Sequence, residues 1–381
     1  MKILFIHPSM KPAGGIERVI SIMANYWAAN TNWEIYILTQ ETSSEAILSN
    51  SFFSLDSNIR IVGVWDKIAY TTSIHKWDIK KLRYVKIAYQ KKIENIAPDV
   101  IISMMHGVDN LFLSDIVNPK IFIIGVNHLT LNYRHGDFEK GWLKRKCIQL
   151  SYHVLIRRLR KYDAVISLTL TDYLRLRKEK CKAFHIPNPN INIVLDSKDI
   201  TREKRIISMG RLGALKGFER MIKIWGRIAS KYPEWKLTIV GNGTELNALK
   251  KLATELKINH SVEFLPQTKE VYTILLQSSI FVLTSYTESF SMVIMEALSC
   301  GLPVVSYDCE NGPRDLITNH YNGFLIPDGD EKSFAEKLEY LINNPDQLSR
   351  ISQNAPKSID WLNIEIIMQQ WDDLLYNGTK K

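Results

Sequence analysis

The chain has 381 residues, more than one hydrophobic core usually encloses, so two domains are expected. No apolar run approaches the roughly 20 residues of a membrane span. The chain opens straight into a strand-like KILFIHP without a signal-peptide pattern, and its four cysteines (Cys147, Cys181, Cys300, Cys309) form no CxxC pair, which together argue for a reducing, cytoplasmic setting and against a disulfide framework or zinc site. The net charge of +9 is uneven: residues 1–190 hold 27 Lys/Arg against 16 Asp/Glu, and the remainder 22 against 24. With no nucleic-acid-binding motif in view, nucleic acid is set aside, and the basic half suits anionic lipid or a phosphorylated acceptor.

Residues 2–8 read as a buried strand. Gly14-Gly15 follows and leads into a helix over 16–29. Strand, glycine pair and helix form an arrangement in which backbone N–H groups can approach an anion, although a Gly-Gly pair is also an ordinary turn. Further strands are expected at 34–39, 59–64, 100–104, 121–126 and 164–168, with helices or loops between them. That alternation predicts a doubly wound parallel sheet, whose ligands bind at the carboxyl ends of strands. Met105-His106-Gly107 and Asn127-His128 sit at such ends.

Two stretches are strongly basic. Residues 76–92 carry seven Lys/Arg and one acid; residues 140–162 carry eight and none, interleaved with Trp142, Leu150, Tyr152, Val154 and other apolar residues. They read either as solvated helix faces or as a contact with an anionic bilayer on the inner face of a membrane. Residues 183–190, with two prolines, are expected to end the first domain, and 191–203 to form a polar linker.

A second domain restarts the pattern with a strand at 205–209. Gly210-Arg211-Leu212-Gly213-Ala214-Leu215-Lys216-Gly217 then enters a helix over 218–230. This is no Walker loop, but two cations and a helix N-terminus converge there, which suits a diphosphate: Arg211 as a bidentate donor, Lys216 as a point charge. A second glycine turn lies at 241–243. The run from Phe281 to Asp308 predicts strand, polar elbow, apolar helix and strand. Glu288 stands in the elbow and Glu296 inside the helix, seven residues between them. Each alone is accounted for by a helix N-terminus or by a structural arginine. A carboxylate on so apolar a helix is otherwise costly unless it is hydrogen-bonded, and a diol bonds it well. Asp328-Gly329-Asp330 has the form of a metal-binding D-x-D but precedes a helix, where Asp330 reads as its N-cap. No other cluster has metal spacing. The tail, 361–376, is apolar at helical spacing.

Taken together, Glu288-Ser-Phe290-Ser291 with Glu296-Ala297, then Gly301-Leu-Pro303-Val-Val, resemble the hallmark E-x-F-[small]-x-x-x-x-E-A and G-x-P-V-[VI] of the GT4-type retaining glycosyltransferases. The loop at 210–217 is similar to the family's G-R-L-x-x-x-K-G, and 14–19, 241–243, 311–317 and 322–326 are similar to further family segments. The resemblance implies a GT-B fold of two facing Rossmann-like domains, 1–190 for the acceptor and 191–360 for the donor, with the last helix returning to the first. It implies transfer from a nucleotide-diphosphate sugar, UDP- or GDP-linked, to a glycan or lipid-linked acceptor in surface polysaccharide or lipopolysaccharide synthesis, without metal or other cofactor. It assigns donor binding to Gly14, Gly15, Arg211, Lys216, Glu288, Phe290, Ser291 and Glu296, and catalysis to Glu288, His128, Arg211 and Lys216. A GT-B epimerase or phosphorylase, or a non-catalytic nucleotide-sugar binder, stand as alternatives.

Overall fold

The structure, a computed structural model, describes residues 1–42, 51–65, 79–128, 142–191, 201–309 and 311–380. The chain separates into two compact units, Met1–Pro189 with Glu365–Lys381, and Asn190–Ile364.

In the first unit the strands are β1 (Lys2–Ile6), β2 (Glu34–Thr42), β3 (Arg60–Trp65), β4 (Val100–Ser103), β5 (Phe122–Asn127), β6 (Ala164–Ser167) and β7 (Ala183–His185). All pair in parallel, in the order β3-β2-β1-β4-β5-β6-β7. The near-continuous apolar strands, such as ILFI in β1, are what a sheet covered on both faces demands. β7 falls where the sequence predicts a chain break. Three residues beside two prolines have no legible period, and only the pairing of Ala183–His185 with Val165–Ser167 makes them a strand.

The helix Ile79–Ile96 packs Val85, Tyr89 and Ile93 inward and leaves Tyr84 and Ile87 exposed. In the helix Trp142–Leu159, Tyr152, Leu155, Ile156 and Leu159 join the core while Leu150 and Val154 face outward. Thus about half of the apolar residues that the sequence interleaves with basic ones serve packing. Some of the charge is paired as well: Asp115 accepts from Arg158 and, at 2.9 Å, from Lys161, and Arg160 meets Glu179 at 3.3 Å. Residues 76–78 and 140–141 of the basic stretches, and most of the expected linker, lie outside the described residues. The helix Ile364–Gly378 belongs to the first unit. Trp371 meets the Trp27 ring edge-on at 6.3 Å, and Trp27 Nε1 donates to Asp372 at 2.8 Å.

The second unit contains β8 (Arg205–Met209), β9 (Lys236–Val240), β10 (Val262–Leu265), β11 (Ile280–Leu283), β12 (Val304–Asp308) and β13 (Gly323–Pro327). They are parallel, in the order β10-β9-β8-β11-β12-β13. This is the doubly wound order whose ligand crevice opens where the chain reverses direction across the sheet, between β8 and β11. The helix Phe218–Ile228 turns Phe218, Met221, Ile222, Trp225 and Ile228 onto the sheet at intervals of three and four, its opposite side carrying Lys223 and Arg227.

Candidate active site

The loops that leave β8 and β11 meet at that reversal point. Gly217, at φ +61°, ends the loop after β8 and starts the helix Phe218–Ile228. Thr284, the first residue past β11, donates its hydroxyl to the Gly217 carbonyl at 2.8 Å, and Tyr286 N–H donates to the Leu215 carbonyl at 2.9 Å. A Cβ at Gly217 would run into the Thr284 carbonyl oxygen, so both the conformation and the close approach require glycine. The glycine turn at 241–243 supports the same loop from the other side: Leu212 N–H donates to Asn242 at 2.9 Å, and Glu245 N–H to Leu212 at 3.1 Å.

This stitching brings together residues that lie 72 positions apart. Lys216 Nζ donates to Glu288 Oε1 at 2.7 Å, and Ser285 Oγ donates to the same oxygen at 2.7 Å. The Glu288 side chain is nearly buried, at 7%, while Lys216 is 32% exposed. Both bonds engage Oε1, which leaves Oε2 with its lone pairs. Arg211 is exposed at the mouth of the loop and has no ion-pair partner among the described residues. The arrangement therefore offers cations to an anion and an oriented carboxylate to hydroxyl groups. Cys309 borders it as a neutral thiol: burial, with Glu288 adding to the effect, pushes its pKa up to about 12.

Ser291 precedes the helix Met292–Ser299 at φ +59°, a left-handed conformation that is uncommon for serine. The Ser291 hydroxyl is buried with no hydrogen-bond partner among the described residues, the kind of orphan that a ligand can satisfy. Glu296 is buried on the second turn of that helix, 4% exposed. Phe290 is 1% exposed. Its ring is buried, as are Glu288 and Glu296, which carry the same expectation of a donor contact. Asp328 and Asp330 have separate duties. Asp330 caps the helix Glu331–Asn343, accepting from Ser333 N–H at 3.0 Å, and Asp328 pairs with Arg220. No three-residue metal cluster occurs among the described residues.

Gly14, Gly15 and His128 belong to the first unit. Gly14 is the extended N-cap of the helix Gly15–Asn30. The Glu17 carboxylate folds back over Gly14, where a Cβ would collide with it, and His7 Nε2 lies 3.1 Å from Glu17 Oε1. His128 directly follows β5 and is buried, its Nε2 3.2 Å from Met104 Sδ. Beside it is Asn127, which the sequence places at a strand end without assigning it a role. The Asn127 side chain is 2% exposed, and its amide oxygen and nitrogen have no hydrogen-bond partner among the described residues. Asp109 carried no sign in the sequence. It accepts from Ser103 Oγ at 2.6 Å, and burial pushes its carboxyl above the usual range. Neither residue stands in a motif: Asn127 is the polar last residue of an apolar strand, and Asp109 lies in the short turn of helix Val108–Leu111, six residues past the end of β4.

Two Rossmann-like parallel-sheet units, one carrying a cation–carboxylate pair at its reversal point, define the class of GT-B transferases. Residues 194–358 match the family described as "Glycosyl transferases group 1". An "Uncharacterized glycosyltransferase" of Haemophilus influenzae is 32% identical over 98% of this chain and 99% of its own. The amylovoran biosynthesis glycosyltransferase AmsD of Erwinia amylovora is 25% identical over 98% and 99%. Among solved structures, Anabaena HepE in complex with UDP and glucose superposes with a TM-score of 0.77, covering 99% of both chains at 18% identity, which speaks to the fold. The chain belongs to the group 1 glycosyltransferases.

Proposed function

We propose that the second unit binds a nucleoside-diphosphate sugar, and that the enzyme passes its hexose or N-acetylhexosamine to a hydroxyl of a glycan with retained anomeric configuration. The Lys216–Glu288 pair, 2.7 Å apart beside an exposed Arg211, carries the reading. As the glycosidic bond breaks, the leaving diphosphate gains negative charge. Lys216 retains two ammonium protons after its bond to Glu288, and Arg211 presents a planar fork; both can meet that charge as it develops. Glu288, oriented through Oε1, turns Oε2 to the sugar hydroxyls, and the departing phosphate takes the proton of the incoming hydroxyl. Because the two cations supply the neutralising charge, no metal is given a part.

Glu296 would hold the ribose diol and Ser291 a further polar group of the donor. His128, Gly14 and Gly15 enter as donor contacts through the family resemblance alone. A UDP donor is favoured by HepE, whose structure holds UDP and glucose. Surface-polysaccharide synthesis is favoured by AmsD, named for amylovoran biosynthesis. A lipid-linked acceptor at the cytoplasmic face of a membrane accords with the exposed Tyr84, Ile87, Leu150 and Val154 on the two basic helices.

The test is transfer from radiolabelled UDP- and GDP-sugars to lipid-linked glycans by Arg211→Ala and Lys216→Ala. Each should lose about 2–4 kcal/mol of transition-state stabilisation, or roughly 30- to 1,000-fold in rate. Near-normal transfer in both variants refutes the assignment.

A further inference from the structure

Arg220 is buried one turn into the helix Phe218–Ile228, 8% exposed, and the mechanism above does not use it. Its guanidinium lies between two aromatic rings, 4.5 Å from the centroid of Tyr286 and 4.1 Å from that of Tyr307. One nitrogen donates to Asp328 Oδ1 at 2.6 Å, and another to the Thr284 carbonyl at 3.3 Å. Thr284 and Tyr286 follow β11, Tyr307 lies in β12 and Asp328 follows β13. A single planar cation thus joins the helix after β8 to the carboxyl ends of three further strands. The neighbouring residue reinforces the contact, since Tyr286 OH donates to Glu219 at 2.8 Å.

We infer that Arg220 is a positioning residue for the active site. By stacking on Tyr286 and bonding the Thr284 carbonyl, it sets the Thr284–Glu288 elbow against the loop that carries Lys216. The 2.7 Å approach of Lys216 to Glu288 depends on that setting. Lysine cannot replace it: an ammonium is a point charge and cannot stack between two rings while donating in two fixed directions. The assignment also gives Asp328, the first acid of the formal D-x-D, a partner in this guanidinium.

The second unit contains its own control. Arg202 is part-buried, and donates to the carbonyls of Ser278 at 3.2 Å and Cys300 at 2.7 Å, at the amino ends of β11 and β12. Arg220→Lys and Arg202→Lys both remove a guanidinium packed against one sheet, buried in the first case and part-buried in the second, but at opposite ends of its strands. Hydrogen exchange read by mass spectrometry on the whole protein compares them without needing a substrate. Arg220→Lys should raise exchange at least about tenfold in the peptide covering 284–291, whose Tyr286 amide is bonded to Leu215, while Arg202→Lys leaves that peptide as in the wild type. In the transfer assay, Arg220→Lys should lower kcat about 30-fold with donor KM changed less than fivefold, because a small misplacement of an oriented group costs rate more than binding.

Unchanged protection at 284–291 in Arg220→Lys overturns the inference, as does an equal change in both variants. Should Arg220→Lys not fold, Asp328→Asn, at a half-exposed site, removes the charge partner alone; it should loosen the same peptide to a smaller degree, and wild-type protection there again overturns the inference. The kinetic part rests on the proposed donor site, and the two fail separately. Full transfer in Arg211→Ala and Lys216→Ala defeats the donor reading, whereas loss in those two with normal kcat in Arg220→Lys defeats only the role given to Arg220.

Discussion

Gly14 in the first unit and Gly217 in the second both stand at the start of a helix, on loops that leave the strand where the sheet order reverses. In each sheet the first strand, β1 or β8, lies beside the strand that begins the second half, β4 or β11. Topology alone would give both turns the same use. Their side chains do not. Glu17, in the first turn of its helix, covers Gly14 with a carboxylate held by His7. The loop before Gly217 presents Arg211 and Lys216, and the acid that Lys216 meets, Glu288, comes from the loop after β11. A helix N-terminus favours anions in both cases. The first unit sets one of its own carboxylates at that turn, while the second sets two cations on its loop. The same glycine turn thus carries opposite charge in the two units, because different side chains fold over it.

The comparison can be broken most sharply at Gly217. Gly217→Ala should destabilise the protein by about 3 kcal/mol or more, since it combines a left-handed backbone with a collision against the Thr284 carbonyl, and urea denaturation would read it. A cost below 1 kcal/mol would mean that the two loops do not close as described.

Glu288→Gln keeps the shape of the elbow but removes the charge that faces Lys216. Transfer should fall about 100-fold while the melting temperature moves by only a few degrees. Wild-type rates would sever Glu288 from the chemistry.

In the first unit, Glu17→Gln tests whether the acid is what keeps anions from the glycine turn. Stability should drop by about 1–2 kcal/mol as the hydrogen bond to His7 loses its charge. If that turn takes part in donor binding, the variant should bind UDP more tightly in calorimetry; unchanged affinity confines anion binding to the second unit.

The smallest effect is expected at Asp109. Burial raises its carboxyl in the folded state, against the lowering by Ser103, so the fold takes up this proton more readily than the unfolded chain does. That contribution is complete below the ordinary carboxylate range and is lost as pH rises through the raised value. Asp109→Asn, which stays neutral, should be the more stable form near pH 7, with the two stability curves converging in acid. Parallel curves across that span would show that the carboxyl is not perturbed.

The positions of β1, β8, β11 and β12 were legible because a buried parallel strand is a run of apolar neighbours. The loop at 210–217 and the pair Glu288 and Glu296 were legible because residue type and spacing inside one short segment carry their chemistry. β7 was not, since three residues have no period and the strand exists only by pairing with β6. Phe290 was legible only through its place in the E-x-F motif, and that its ring is buried is something the motif does not say.

Composition and local pattern determined that this chain builds two parallel-sheet units and which loops carry cations and acids, because periodicity and turn chemistry act between neighbours in sequence. Only the tertiary structure decided that Lys216 meets Glu288, that Glu17 closes over Gly14 and that Arg220 draws Thr284, Tyr286, Tyr307 and Asp328 around itself. Those outcomes depend on which strand ends lie side by side and on which charges can be buried together, and no stretch of the chain read alone contains them.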